Sequence, residues 1–349
     1  MKRLSSFLIL ILFVVTVHAE KLPHIVILAT GGTIAGAAPT EVQSGYQSGQ
    51  VGVDILINAV PQLKEIANVT GEQISNVGSQ NMSDEIWLKL VKRINELLAL
   101  DDVDGIVITH GTDTMEETAY FLNLTVKSNK PVVLTCSMRP STALSADGPL
   151  NIYNAVAVAA SKESWNRGVM VVANDVIHTG RAVVKSSTTA VETFISPLVG
   201  PLGTVNYGDI NYVDIPEKKH TTQTPFVVDN LTSLPKVYII SIYEGASGDL
   251  IKAAVDLGAK GIVTSGMGNG NLTDDCVKAL EYARSKGVVV VRASRVATGF
   301  VGRNIELDDD ALGFDASYEL IPSKARVLLR LALLNTNDPV KIQEYYAEY

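Results

Sequence analysis

The sequence predicts an α/β protein with a larger N-terminal, mainly parallel α/β domain and a smaller C-terminal α/β domain. Short apolar runs rich in valine and isoleucine alternate with stretches of helical spacing, as expected of parallel strands covered by helices on both faces. The alternation lapses in a proline-containing polar stretch after residue 214 and then resumes. Hydrophobic residues make up 46% of the 349 and charged residues 19%, a balance that fills a large core and excludes a disordered chain.

Taken in order, His24–Thr30, Gly105–His110, Pro131–Ser137 and Gly168–Asn174 read as buried strands. Ser83–Leu100, Thr114–Val126 and Pro149–Ser161 read as helices between them. Ser83-Asp84-Glu85 ahead of Ile86 and Leu90 is a helix start, with acidic charge at the positive end of the helix dipole. Residues 215–235, IPEKKHTTQTPFVVDNLTSLP, read as a linker between an N-terminal domain over 20–214 and a C-terminal domain over 236–349. In the second domain, strands are expected at Val237–Tyr243, Gly261–Ser265 and Val288–Ala293. Helices are expected at Ser247–Leu257, Thr273–Lys286 and Ser323–Leu334, and no internal repeat is visible.

Residues 1–19 read as a secretory signal. Lys2 and Arg3 supply the positive start, Phe7 to Val15 the apolar run and Val17-His18-Ala19 a small-residue cleavage motif. The run is short for a bilayer, which needs ~20 residues, so an uncleaved anchor is the lesser alternative. Cleavage after Ala19 removes two positive charges from a chain of net charge −8, and that acidity disfavours nucleic acid as a partner. Cys136 and Cys276 sit in or beside hydrophobic segments and read as two buried free thiols, although export makes a disulfide chemically possible. None of the five histidines pairs with another at metal-ligand spacing, and HExxH and CxxC are absent, so neither metal nor cofactor is expected.

Ligands in open parallel sheets sit beyond the carboxyl ends of strands. Three segments there carry candidate chemistry. Thr30-Gly31-Gly32-Thr33-Ile34-Ala35-Gly36 follows the first strand; its spacing is not the GxGxxG of a dinucleotide site, and its threonines read either as hydroxyls aimed at substrate or as caps of a tight turn. Thr109-His110-Gly111-Thr112-Asp113-Thr114 follows the Gly105 strand and opens a helix; Asp113 or Thr114 serves equally as an N-cap, but that leaves Thr112 unexplained. Lys185, among Val183, Val184 and Ser186–Thr189, has few charges near it in sequence. Burial there would favour the neutral amine, a proton acceptor for a hydroxyl; a surface lysine on a hairpin is the plainer reading.

TGGTIAG at 30–36 together with HGTDTMEETA at 110–119 resembles the paired signatures of bacterial type II, periplasmic L-asparaginases. The resemblance continues through VGSQNMSDEIW at 77–87, MRPSTALSADGPLNIYNAV at 138–156, GNGNL at 268–272 and ARVLLRLAL at 325–333, and so covers nearly everything from His24 onward. It implies an asparaginase-like fold and hydrolysis of L-asparagine to L-aspartate and ammonia through a threonine-linked acyl-enzyme. By resemblance, Thr33 is the first catalytic threonine and Tyr46 the tyrosine of a covering loop, while Thr112, Asp113 and Lys185 form a Thr–Lys–Asp triad. Ser79 and Gln80 grip the substrate's α-carboxylate and α-amino group. Glu306 reaches the site from a neighbouring subunit, which implies a homotetramer with shared sites. A small zwitterion suits this set: hydroxyl and amide donors for its carboxylate, and Asp113 and Glu306 for its ammonium. Residues 36–49, GAAPTEVQSGYQSG, have the small, glycine-punctuated character of a lid, with Tyr46 the single large side chain.

The chain departs from the family pattern in places. Gly245 falls where the resemblance implies an asparagine or serine contributed across the subunit interface, Ala182 where an acid commonly follows the arginine, and Leu98 or its neighbours and Ser128 where some relatives have a cysteine pair. Gly245 leaves the balance between asparagine and glutamine open, so a broad glutaminase-asparaginase is one competing expectation. A periplasmic amino-acid-binding protein is another, from a different class; it would need groups for the zwitterion but no triad.

Overall fold

The computed structural model describes residues 21–36, 49 and 52–349; the signal expected at 1–19 and Tyr46 lie outside these described residues. The N-terminal part supplies β1 (His24–Gly31), α1 (Val53–Asn58), α2 (Leu63–Ile66), β2 (Asn68–Val77), α3 (Asp84–Leu98), β3 (Gly105–Thr109), α4 (Met115–Thr125), β4 (Val132–Thr135), α5 (Gly148–Ala160), β5 (Val169–Ala173) and β6 (Val176–Thr179). A two-stranded ribbon of β7 (Val184–Lys185) and β8 (Phe194–Ile195) follows, then β9 (Gly203–Asn206) and β10 (Asp209–Tyr212).

The eight-stranded sheet has the order β10-β9-β6-β5-β4-β3-β1-β2. From β5 to β2 the strands run parallel, and β6, β9 and β10 extend one side as antiparallel strands. The unbroken apolar runs of the parallel strands have a direct cause: successive side chains face opposite sides, and both sides are buried. Val26, Leu28, Ile106, Ile108 and Leu134 enter a core with Trp87, Leu90 and Ile94 of α3 and Phe121 of α4. Ile25, Ile27, Val107 and Val133 enter a second core with α1, α2 and α5, through Leu56, Leu63, Ile152 and Val156. Helix α3 starts at Ser83, whose side chain accepts the Ile86 N–H at 3.4 Å, with Asp84 and Glu85 in the first turn. Its Trp87 stacks on Phe121 at 4.7 Å and donates its indole N–H to Thr118 at 2.8 Å, which fixes α3 against α4.

The C-terminal part comprises β11 (Val237–Ser241), α6 (Asp249–Asp256), β12 (Gly261–Gly266), α7 (Asp274–Ser285), β13 (Val289–Ser294), α8 (Asp309–Leu312), β14 (Asp315–Ala316), α9 (Pro322–Ala332) and α10 (Pro339–Glu348). Its four strands are parallel in the order β11-β12-β13-β14. Helices α6 and α7 cover one face, burying Ile251 and Leu280 against Ile262 and Val290. The other face is covered by α9. Leu328 and Leu329 of α9 lie in one core with Val237, Val263 and Val289 of the small sheet and with Phe121 and Tyr120 of α4. Truncating one such leucine to alanine costs ~2–5 kcal/mol. The stretch between the two parts holds a 3-10 turn at Thr221–Gln223 and is held to the end of α4 by Lys127, which donates to the Thr224 side chain at 2.8 Å.

Cys136 and Cys276 are both buried free thiols, and they belong to different cores. Among the described residues no helix is long and apolar enough to cross a membrane.

Candidate active site

Strands β1, β2 and β3 are neighbours, so the segments leaving their carboxyl ends converge. Gly31 opposes Val77 at an irregularity in the β1–β2 register, and the Gly32 N–H donates to the Val77 carbonyl at 2.9 Å. Gly32 has a φ of 83° and packs on the Gly111 backbone; a side chain there would be strained and would overlap Gly111. The residues that follow these glycines, Thr33 and Thr112, are thereby held at one place. Thr33 opens a 3-10 turn, and both threonines are buried.

Ser79, just past β2, is the third member of the junction. Its hydroxyl accepts the Asp113 N–H at 3.1 Å, and its carbonyl accepts the Thr114 hydroxyl at 2.8 Å. Thr114 is the residue before α4, but its side chain caps nothing there. Nor does Asp113 act as a cap: its carboxylate accepts from Lys185 at 2.7 Å. The Lys185 amine also donates to Thr112 Oγ1 at 2.9 Å. Lys185 thus lies on a hairpin, as the plainer reading had it, but its side chain is mostly buried and turned into the site. The expectation of surroundings short of charge is corrected here. Asp113 meets the amine, and Glu116 of α4 accepts the Lys185 backbone N–H at 2.9 Å.

Because Thr112 Oγ1 accepts from Lys185, the threonine's own O–H can donate to a further oxygen. The arrangement therefore offers two hydroxyls, one oriented amine and one carboxylate at a strand terminus. His110, inside the same motif, is wholly buried; burial pushes its pKa down to about 4, and its Nδ1 lies 2.7 Å from the Gly111 carbonyl. A ring neutral at physiological pH and closed off from the surface is a structural support for Gly111.

The structure brings Thr33, Ser79, Thr112, Asp113 and Lys185 together. Gln80 is exposed beside Ser79, its side-chain amide folded back over Gly78. Glu306 is exposed on the loop before α8 in the C-terminal part, outside the hydrogen-bond network that joins the others. The ends of the expected lid are anchored close to Thr33. The Gly36 carbonyl accepts from Ser141, and the Gly49 N–H donates to the Gly32 carbonyl at 3.3 Å. Two residues that support the site from behind escaped the reading of the sequence: Glu116, and Ser323 of α9, which donates to the other Glu116 oxygen at 3.1 Å. A separate cleft of 340 Å³ lies at the start of the linker. Its Arg181 is paired with Glu319, and its Arg167 and Lys218 are spent on backbone carbonyls.

Residues 24–218 match the family described as Asparaginase, N-terminal, and residues 236–346 match the Glutaminase/Asparaginase C-terminal domain. The chain is 56% identical over 331 residues to L-asparaginase 2 of Escherichia coli K12, covering 95% of this chain and 94% of that protein. It is 54% identical over 332 residues to a probable periplasmic L-asparaginase of Haemophilus influenzae, covering 95% of each. Among solved structures, a probable cytoplasmic L-asparaginase from Campylobacter jejuni superposes with a TM-score of 0.91 at 50% identity, covering 94% of this chain and all of that one. With the two sheets in that arrangement and both domains matched, the chain belongs to the asparaginase family.

Proposed function

We propose that this protein hydrolyses L-asparagine to L-aspartate and ammonia, with Thr33 as nucleophile. The observation that carries the reading is the Lys185 amine bonded at once to Thr112 Oγ1 and Asp113, beside the turn that holds Thr33. A threonine hydroxyl is a weak nucleophile at neutral pH and needs help to lose its proton. In this reading Thr33 Oγ attacks the side-chain amide carbon, and Tyr46 assists the transfer of the hydroxyl proton to the departing nitrogen. The C–N bond breaks, ammonia leaves, and the aspartyl group stays on Thr33 as an ester. Water then cleaves the ester, freeing aspartate and the hydroxyl. Thr112, oriented by Lys185, donates to the oxygen that gains negative charge, a type of contribution worth ~10²-fold or more per donor. Ser79 and Gln80 hold the α-carboxylate and α-amino group, and Asp113, with Glu306 from a second subunit, takes the ammonium.

The test is ammonia release from L-asparagine, L-glutamine and their D-forms by the purified protein. Strong turnover of L-asparagine that Thr33→Ala abolishes is expected; turnover surviving that change overturns the assignment, and binding without ammonia release favours a solute-binding protein. One methylene in a pocket discriminates by only ~10–200-fold, so the ratio of kcat/KM for the two L-amides measures how broad the enzyme is.

The same reading makes the protein exported and oligomeric. Lys2, Arg3 and the apolar run to Val15 support a cleaved leader and a periplasmic enzyme, and a mature N-terminus at residue 20 tests this. The exposed position of Glu306 on the C-terminal part supports a site completed by a neighbour, as in a homotetramer. A fully active monomer in sedimentation would rule that out.

A further inference from the structure

We propose that Lys324, with Ser323 beside it, is a positioning residue that sets where the Lys185 amine stands, so that the first turn of α9 in the C-terminal part tunes a site built by the N-terminal part. The inference rests on the reading of Lys185 as the triad amine.

The Lys324 side chain is 1% exposed. An amine taken out of water costs several kcal/mol unless its hydrogen bonds are remade inside. Here all three N–H bonds are used: Nζ donates to the carbonyls of Gly180 at 3.1 Å, Arg181 at 2.6 Å and Val183 at 2.6 Å. Those carbonyls belong to the stretch that runs directly into Val184 and Lys185. The ribbon that carries Lys185 has only two residues in each strand, too few to hold itself in place. Lys324 therefore fixes its approach. Ser323 and Glu116 fix its register, since the Glu116 carboxylate bridges the Ser323 hydroxyl and the Lys185 N–H. Neither Lys324 nor Ser323 bonds to Thr112, Asp113 or the Lys185 amine; the substrate-holding Ser79 and Gln80 hang from β2 instead, and Asp113, which shares that task, is held by its own N–H to Ser79 Oγ at 3.1 Å. Loosening α9's grip thus displaces the amine and spares substrate binding. Displacement of a reacting group by about 1 Å costs on the order of 10²-fold in rate.

The experiment compares Lys324→Met, Ser323→Ala and Lys185→Met, each alone, and Lys324→Met combined with Lys185→Met, in the full-length enzyme. For Lys324→Met a 10- to 100-fold fall in kcat with KM within twofold of the parent is expected, and for Ser323→Ala a smaller fall of the same kind. Lys324→Met should then have no further effect on the residual turnover of Lys185→Met, because the two act through one amine. A folded Lys324→Met enzyme with parental kcat overturns the inference, and so does an equal loss with and without Lys185. If Lys324→Met does not fold, Ser323→Ala and its combination with Lys185→Met decide the matter by the same criteria. Lys185→Met with near-parental turnover would instead remove the reading of Lys185 on which the inference stands.

Discussion

Gly32 and Gly111 lie backbone against backbone: a methyl group on Gly32 would come within 2.5 Å of the Gly111 Cα, and one on Gly111 within 2.6 Å of Ser79 Oγ. That closeness sets the short turn after β1 and the one after β3, each carrying a buried threonine, side by side. Gly111→Ala tests it by bulk alone, since Gly111 is not among the residues with positive φ. A fall of ~10²-fold or more in kcat/KM for asparagine is expected, with the fold retained by circular dichroism.

Lys185→Met removes the amine shared by Thr112 and Asp113. A drop of ~10²–10³-fold in kcat is expected, the range for losing an oriented oxyanion donor, while Thr112→Ser should keep much of the activity that Thr112→Val loses. Steady-state kinetics on the four enzymes checks both halves.

Arg292 and Asp309 form a two-pronged ion pair, with both contacts at 2.6 Å and both side chains almost wholly buried. Arg292 also reaches the carbonyls of Asn269, Gly270 and Gly302, so the loop carrying Glu306 and the GNGNL segment depend on it. Asp309→Ala strands a buried cation and should cost about 3–5 kcal/mol, read from urea unfolding midpoints.

Asp315 is fully buried, and burial pushes its pKa up to about 8 against the nearby Arg303 guanidinium, 3.5 Å away. Between its ordinary value of 3.8 and about 8 the folded state therefore holds a proton that the unfolded state releases. Stability from this group is fully present below that window and is lost as pH rises through it, by at most ~1.4 kcal/mol per pH unit. Lys324, pushed down to about 7 by burial, works in the opposite sense at higher pH. The difference between parent and Asp315→Asn isolates the aspartate. The variant should gain on the parent steadily as unfolding is repeated from pH 5 to pH 8.

Neither thiol is accessible, and burial raises the pKa of Cys136 far above that of a free thiol. A thiol reagent should label neither cysteine in the native protein and both once it is unfolded. Reducing agent should leave the melting temperature unchanged.

The parallel half of the larger sheet is legible in the sequence because β1, β3, β4 and β5 are buried on both faces and so read as unbroken apolar runs. Strand β2, with ten residues, is longer than any of these but stands at the sheet edge. Its residues, NVTGEQISNV, are mostly half-exposed and polar, and no periodicity marks them. The antiparallel β6, β9 and β10 are no shorter than β4, but each has residues that are exposed or half-buried, so no unbroken apolar run marks them. Thr33 and Thr112 stand out because each is a hydroxyl just beyond a strand. What brings Lys185 to Thr112 across 73 residues is tertiary packing, which local pattern does not record. Lys324 did leave a trace: it sits three, four and seven residues before Val327, Leu328 and Leu331, a charge on the apolar stripe of its own helix.

Helix α9 gives its apolar side at once to the small sheet and to α4, which covers the larger sheet. Severing the chain within 215–235 would therefore not release two particles, because Leu328 and Phe121 would still exclude water between the fragments. A nicked molecule should travel as a single body through a sizing column and come apart only in denaturant.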